Sequence, residues 1–271
     1  MTVIMVNGLP GKMASSIAER FLSDNTFDLA QFSLTGADSD KRYWHDIELI
    51  FPQERELAIS KLIEVNGTDD WISIDYTQPN AVNDNADFYC SHGLDFVMGT
   101  TGGDREALEK RVRESNSNAV IAPNMAKQIV AFQAMMKYAS ETFPNSFKGY
   151  SLEILESHQH GKKDTSGTAK AMVQYFNSLG IPFTNEQIKM IRDSDEQMDI
   201  GVPEKHLNGH GWHKYTLRSQ DGNVLFQFTH NVNGRDVYVD GTLDAVKFLA
   251  KKVAEGSEGQ VYSMIDVLRG N

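Results

Sequence analysis

A chain of 271 residues with 40% hydrophobic and 23% charged side chains has the composition of a globular protein large enough for two cores. Its net charge of −11, from 26 basic and 37 acidic residues, repels phosphate backbones and anionic lipid and argues against nucleic-acid and membrane partners. The single cysteine, Cys90, excludes an intrachain disulfide and is expected to pack in a helix; a reducing cytoplasm is the expected compartment, or a plastid if a transit segment has been removed.

The chain opens with the β-branched run Val3 to Val6, which leads into a glycine turn. Met13, Ile17 and Phe21 then recur at helical spacing, with Glu19, Arg20 and Asp24 on the other faces. Further apolar runs follow at Leu29 to Leu34, Trp71 to Tyr76, Phe96 to Met98 and Ala119 to Ala122, with a charged helix predicted over Glu106 to Ser115. That alternation predicts an α/β fold, a Rossmann-like doubly wound parallel sheet.

After Pro123 the pattern changes. Ala126 to Thr142 reads as a longer helix, with Ile129, Phe132, Met136 and Tyr138 as buried candidates, and Tyr150 to Leu155 alternates as a strand. Ala169 to Leu179 is helical in period, and Asp221-Gly222 joins Trp212 to Arg218 with Val224 to His230 as a hairpin. These features predict a second α+β domain on a largely antiparallel sheet. The acidic run Asp193 to Glu196 reads as a solvated loop, and Leu243 to Val253 as a helix returning to the first domain. The expected division is 1–126 with 236–271 as a dinucleotide-binding domain, and 127–235 for substrate and oligomerisation.

Gly8, Leu9, Pro10, Gly11, Lys12 and Met13 stand between a strand and a helix, where backbone N–H groups and the helix dipole hold a pyrophosphate. Pro10 and Met13 occupy two glycine positions of a full G-x-G-x-x-G, so a tight turn in an α/β protein without a nucleotide stands beside the nucleotide reading. About 20 residues on, where a carboxylate normally grips the ribose diol, the chain has Ser33 and Thr35; Asp38, Asp40, Lys41 and Arg42 come later. Ser33 or Thr35 with a basic neighbour would suit a 2′-phosphate, so NADPH is expected in preference to NADH.

The stretch Glu156-Ser157-His158-Gln159-His160-Gly161-Lys162-Lys163-Asp164-Thr165-Ser166-Gly167-Thr168-Ala169 is the richest in chemistry. His158 and Lys162 are titratable, and Ser166, Gly167 and Thr168 at a helix start form a carboxylate-binding nest. The combination suits proton transfer on an anionic substrate.

This stretch resembles the signature of the 4-hydroxy-tetrahydrodipicolinate reductases, formerly dihydrodipicolinate reductases, approximately E-x-H-H-x-x-K-x-D-x-P-S-G-T-A. Gly8 to Met13 resembles the family's G-x-x-G-[RK]-M turn, and Asp75-Tyr76-Thr77-Gln78-Pro79 its D-[FY]-T-x-P. Gly99-Thr100-Thr101-Gly102 resembles its G-T-T-G, and Ala122-Pro123-Asn124-Met125 its A-P-N-[FM]. Gln159 replaces the family's second histidine and the proline before Ser-Gly-Thr is missing, a shortened pattern similar to the branch found in plants and some bacteria.

The resemblance implies a cyclic dicarboxylate substrate and reduction by NADPH or NADH with loss of water, in the diaminopimelate route to lysine. It implies His158 as general acid or base and Lys162 as proton donor, with Gln159, Ser166, Gly167 and Thr168 on the substrate. Gly99, Thr100, Thr101, Ala122, Pro123, Asn124 and Met125 would meet the nicotinamide half, and a homotetramer is implied. No metal is expected: His158-x-His160 and the trio His206, His210 and His213 could ligate zinc, but no cysteine or H-E-x-x-H supports them. A nucleotide sensor on the same fold, or another hydride-transferring dehydrogenase, would not need the His-Lys segment. Arg235 and the Gly211-Trp212-His213 segment stay unassigned between site and structural roles.

Overall fold

The structure, a computed structural model, describes residues 2–23, 26–36, 41–66 and 71–270. Asp24, Asp38 and Asp40 lie outside the described residues. Two compact units make up the chain: Met1–Lys127 with Asp236–Asn271, and Gln128–Arg235.

The first unit is built on a six-stranded sheet in the order β13-β8-β7-β6-β1-β2. Its strands are β1 (Val3–Asn7), β2 (Asp28–Leu29), β6 (Trp71–Asp75), β7 (Asp95–Met98), β8 (Ala119–Ile121) and β13 (Val261–Tyr262), and every pairing is parallel. β1, β6 and β8 are buried along their whole length, which is why they read as continuous apolar runs. Crossover helices cover the sheet: α1 (Lys12–Leu22), α2 (Glu56–Asn66), α3 (Val82–Ser91), α4 (Arg105–Arg113) and α8 (Asp236–Ala254), with the short α9 (Met264–Gly270) after β13. α1 buries Ala14, Ile17, Ala18 and Phe21, one helical face. The Asp104 side chain caps α4 by accepting from the Ala107 N–H at 3.1 Å. Cys90 is buried in α3, in the core formed with Tyr89, Phe96 and Trp71. The result is the Rossmann-like doubly wound sheet that the alternation predicts.

One predicted strand divides. The run 29–34 leaves β1 after Leu29, and β3 (Phe32–Leu34) joins a separate three-stranded sheet, β3-β5-β4, with β4 (Tyr43–Trp44) and β5 (Ile47–Ile50). A continuous apolar run does not reveal a change of partner. β3 stays against the end of β1 by other means: the Leu34 N–H donates to Asn7 Oδ1 at 2.8 Å, and the Gly8 N–H to the Leu34 carbonyl at 2.8 Å.

The second unit carries a four-stranded sheet, β10-β9-β11-β12, with β9 (Ser151–His158), β10 (Lys189–Ile191), β11 (His210–Arg218) and β12 (Leu225–Asn233). β11 is antiparallel to both β9 and β12, whereas β10 runs parallel to β9. α5 (Lys127–Thr142), which begins at the boundary residue, and α6 (Gly167–Ser178) enclose its core; Met136, Ile154, Met172, Phe176, Tyr215 and Leu217 are central. Tyr138, expected inside, is 65% exposed. The expected acidic loop is instead a short helix, α7 (Ser194–Asp199), because the Asp193 carboxylate accepts from the Asp195 and Glu196 N–H groups and so caps it.

Candidate functional site

The turn after β1 is shaped by what lies above it. Gly8 has φ +102°, and a Cβ there would stand 2.2 Å from the Tyr76 carbonyl oxygen; one on Gly11 would meet the Gly8 carbonyl at 2.7 Å. Only glycine permits that close approach and that backbone. The Gly11 N–H donates to the Gly8 carbonyl and the Ser15 N–H to the Gly11 carbonyl, so the donors without a helical partner are those of Lys12, Met13 and Ala14, at the first positions of α1. Pro10, Gly11 and Lys12 are exposed; the Leu9 side chain is buried, leaving its backbone for a ligand.

A buried polar network holds this turn against the next strands. Asp75 is fully buried at the end of β6, and its Oδ1 accepts from Thr100 Oγ1 at 2.6 Å, Thr77 Oγ1 at 2.8 Å and the Thr77 N–H at 3.1 Å. Its Oδ2 accepts from the Tyr89 hydroxyl at 2.8 Å and Asn85 Nδ2 at 2.9 Å, and Asn7 Nδ2 donates to Tyr89 at 3.0 Å. Burial beside this carboxylate raises the Tyr89 phenol well above its usual range, which keeps it a neutral donor. The sequence reading named none of Asn7, Asp75 or Tyr89 as site residues. A carboxylate closing an otherwise apolar strand was the available signal.

Two cavities adjoin the turn. One of about 300 Å³ is lined by Gly8, Pro10, Gly11, Thr35, Gly36, Tyr76 and Gln78. The other, of about 290 Å³, shares Thr35, Gly36, Thr77 and Gln78 and continues to Arg55, Ala81 and Asp84. A third, of about 290 Å³, lies at the other side of the turn between Met13, Tyr76, Gly99, Pro123, Asn124, Met125 and Tyr238. Gly99 is glycine because a Cβ would come within 2.3 Å of the Tyr76 ring, whose hydroxyl is 2.7 Å from Thr242 Oγ1.

Not every expected contact survives. Ser33 is fully buried in β3, its hydroxyl on the Leu34 carbonyl, so it is out of reach of a 2′-phosphate. Thr35 is 6% exposed and donates to the Leu9 carbonyl at 2.6 Å, which makes it a brace of the turn. Thr100 likewise spends its hydroxyl on Asp75, while Thr101 is exposed. Ala122 and Met125 are buried; Asn124 Oδ1 accepts from the Ala126 N–H at 2.9 Å and fixes the bend before α5.

In the second unit the chemistry gathers around Glu156. β9 alternates inward at Ile154 and Glu156, both fully buried, so a carboxylate occupies a core position. Arg192 Nη2 donates to Glu156 Oε1 at 2.5 Å, and the Ser166 N–H to Oε2 at 3.0 Å. Arg192 Nε also donates to the Lys162 carbonyl at 2.8 Å, and Nη2 to the Asp164 carbonyl at 3.3 Å. The buried pair therefore ties the 159–166 loop to the sheet at Lys162, Asp164 and Ser166. Neither Glu156 nor Arg192 was assigned a role from sequence.

His158, at the end of β9, lies 3.8 Å from Glu156 Oε1 through Nδ1, which is enclosed and makes no hydrogen bond. Gln197 Nε2 donates to its carbonyl at 2.7 Å. Burial pushes the His158 imidazole down to about 4, with the charges of Arg192 and Lys162 acting the same way and Glu156 opposing them. At neutral pH it is thus a neutral base and the Glu156 contact is not an ion pair. The ring packs edge-on to His213 at 5.1 Å between centroids, and His213 stacks on His230 at 4.6 Å. Burial holds His213 well below the usual histidine range and His230 at about 4.

Lys162 Nζ donates to Asp164 Oδ1 at 2.8 Å, and Gln159 is exposed beside it. Ser166 caps α6: its Oγ accepts from the Ala169 N–H at 3.0 Å and lies 2.8 Å from His213 Nε2. The expected nest is therefore narrower than Ser166-Gly167-Thr168. The Ser166 donors are committed within the protein, and the Gly167 and Thr168 N–H groups at the head of α6 are those left for an anion. His160 turns away to the Arg192 carbonyl at 3.2 Å, and His210 lies 2.7 Å from Ser157 Oγ. Among the described residues the grouping with metal-ligand geometry is neither of the histidine sets weighed above but Glu156, His158 and His213, with the Arg192 guanidinium already on its carboxylate.

Residues 2–125 match the family model described as dihydrodipicolinate reductase, N-terminus, and residues 128–268 that described as dihydrodipicolinate reductase, C-terminus. The chain is 46% identical over 271 residues to probable 4-hydroxy-tetrahydrodipicolinate reductase 2, chloroplastic, of Oryza sativa subsp. japonica, covering 98% of this chain and 82% of the rice protein. It is 48% identical over 270 residues to 4-hydroxy-tetrahydrodipicolinate reductase 2, chloroplastic, of Arabidopsis thaliana, covering 98% and 77%. Among solved structures, dipicolinate-bound dihydrodipicolinate reductase from Paenisporosarcina sp. TG-14 has a similar fold, with a TM-score of 0.63 at 19% identity over 98% of this chain and 99% of that one.

Proposed function

The chain belongs to the dihydrodipicolinate reductase family and is a reductase of 4-hydroxy-tetrahydrodipicolinate in lysine biosynthesis; from that premise we propose which residues carry the reaction and which cofactor they use. The glycine cradle and the open N–H groups of Lys12 and Met13 fit a dinucleotide pyrophosphate, and Gly99, Pro123, Asn124 and Met125 border the cavity that suits a nicotinamide. NADPH is the proposed cofactor, with NADH as the weaker alternative; it supplies the hydride.

The substrate carries two carboxylates on a ring. One is taken by the Gly167 and Thr168 N–H groups and the head of α6, with Gln159 offering an amide alongside. His158, neutral at working pH, takes the ring C–H proton through Nε2, since Nδ1 is enclosed, and returns it to the departing hydroxyl, which leaves as water. Lys162, steadied by Asp164, gives the proton that completes reduction of the conjugated system. The buried Glu156–Arg192 pair carries this reading, because it fixes the loop that bears Lys162 and the cap of α6 at once.

A homotetramer is proposed, with the β12 side of the second unit as its interface. Leu225 and Phe226 on β12 are 48% and 40% exposed, and β12 is an edge strand. The cytoplasm is the proposed compartment, one in which the lone thiol Cys90 stays reduced.

The test is a coupled assay in which a separate synthase makes the unstable substrate from pyruvate and aspartate semialdehyde, read as loss of NADPH absorbance. His158→Gln and Lys162→Ala are each expected to lower kcat by about 100-fold or more, the usual contribution of a positioned acid or base. Near-normal kcat in either would remove that residue from the mechanism.

A further inference from the structure

With Ser33 buried and Thr35 bonded to Leu9, the residues first expected at the adenosine ribose are committed elsewhere. The question of what reads the 2′ position then falls to the second cavity. It is continuous with the phosphate turn through Thr35, Gly36 and Gln78, so an adenosine leaving a pyrophosphate on that turn enters it. The described residues at the β3 end, Thr35 and Gly36, include no carboxylate to accept a ribose diol.

Among the described residues, one basic side chain lines this cavity. Arg55 directly follows a 3-10 turn, Pro52–Glu54, and its guanidinium lies over the Phe88 ring at 5.2 Å. Its Nη1 donates to the Asp84 carbonyl at 3.4 Å. The group is half-buried and held on two sides, which spares it much of the rotamer entropy a surface lysine would lose on binding. Arg42, which with Lys41 follows the expected ribose position in sequence, is bound through two hydrogen bonds to Glu54 at 2.6 and 3.1 Å. We propose that Arg55, from the wall of the cavity beside Thr35 and Gly36, is the residue that binds the 2′-phosphate of the dinucleotide and so sets preference for NADPH over NADH. This rests on the proposed dinucleotide site at the glycine turn. Asp84 shares the cavity and is the competing reader, since its carboxylate would accept a 2′-hydroxyl instead.

Calorimetric binding of 2′,5′-ADP and of 5′-ADP, neither carrying nicotinamide, is measured on the full chain and on Arg55→Ala, Arg55→Gln and Asp84→Asn, together with KM and kcat for NADPH and NADH. The native protein is expected to bind 2′,5′-ADP more tightly than 5′-ADP. Both Arg55 variants should lose that difference and raise KM for NADPH by about 10- to 100-fold, the range for a lost charge-assisted phosphate bond, while kcat at saturation and the KM for NADH hold. Variants that keep the native 2′,5′-ADP preference overturn the assignment to Arg55 and leave the dinucleotide site standing. Native protein that prefers 5′-ADP and NADH, with Asp84→Asn weakening both, overturns it in favour of the diol reading. Native protein that binds neither nucleotide overturns the dinucleotide site and this inference with it.

Discussion

Replacing Glu156 by glutamine changes one atom's chemistry in the middle of the second unit. The carboxylate is fully buried and accepts from Arg192 on one oxygen and from the Ser166 N–H on the other. An amide keeps one acceptor, so whichever way it is turned an NH2 faces either the guanidinium or the Ser166 N–H. Breaking a buried ion pair costs about 3–5 kcal/mol when the remaining charge is stranded. Arg192 is not wholly stranded, because the carbonyls of Lys162, Ile191 and Asp164 still take its N–H groups at 2.8, 3.0 and 3.3 Å. A loss of about 2–3 kcal/mol follows, or roughly 5–10 °C in the melting temperature of a chain this size. Glu156 also counters the burial that depresses His158, so its loss should move that imidazole below its value of about 4 and shift the acid limb of kcat to lower pH. Calorimetry with a kcat–pH profile reads both. A variant that melts within about 1 °C of the native protein, with an unshifted acid limb, would refute the organising role given to this carboxylate.

Two further outcomes follow from the same packing. Gly8→Ala must place a Cβ 2.2 Å from the Tyr76 carbonyl at φ +102°, and the strained turn should raise KM for NADPH by about tenfold or more while far-UV circular dichroism is retained; an unchanged KM would show that the turn does not hold the phosphates. His158 and His230 have folded values near 4 against 6.5 in an open chain, so the unfolded state takes up protons first. Their stabilising effect is complete above pH 6.5 and lost as pH falls towards 4, and His230→Phe should flatten that decline in urea midpoints; equal slopes in the two proteins would contradict it.

The parallel sheet was legible because its strands are buried on both faces and cannot hide polar residues, as at β1 and β6. The small sheet β3-β5-β4 was not, since its formation depends on β3 changing partner, which no local pattern records. The His158–Lys162 segment could be found by residue type, but its organisation could not. Arg192 stands 36 residues after Glu156, and only the parallel pairing of β10 with β9 brings them together. Ser166 illustrates the other limit: sequence identifies a donor-rich helix start, while the structure decides which donors His213, Glu156 and the cap have already taken.

α8 enters the first unit from the far side of a 108-residue insertion, Gln128–Arg235. It buries Val239, Ala245, Val246 and Leu249, and Gly241 runs so close to the Met125 carbonyl that a Cβ there would overlap it. During synthesis the bend at Ala122 to Met125 therefore waits, uncovered, until the inserted unit has been made and the helix behind it has emerged. The unit whose strands come first in the chain is the last to be completed, and until then its unfinished sheet leaves apolar surface open to aggregation.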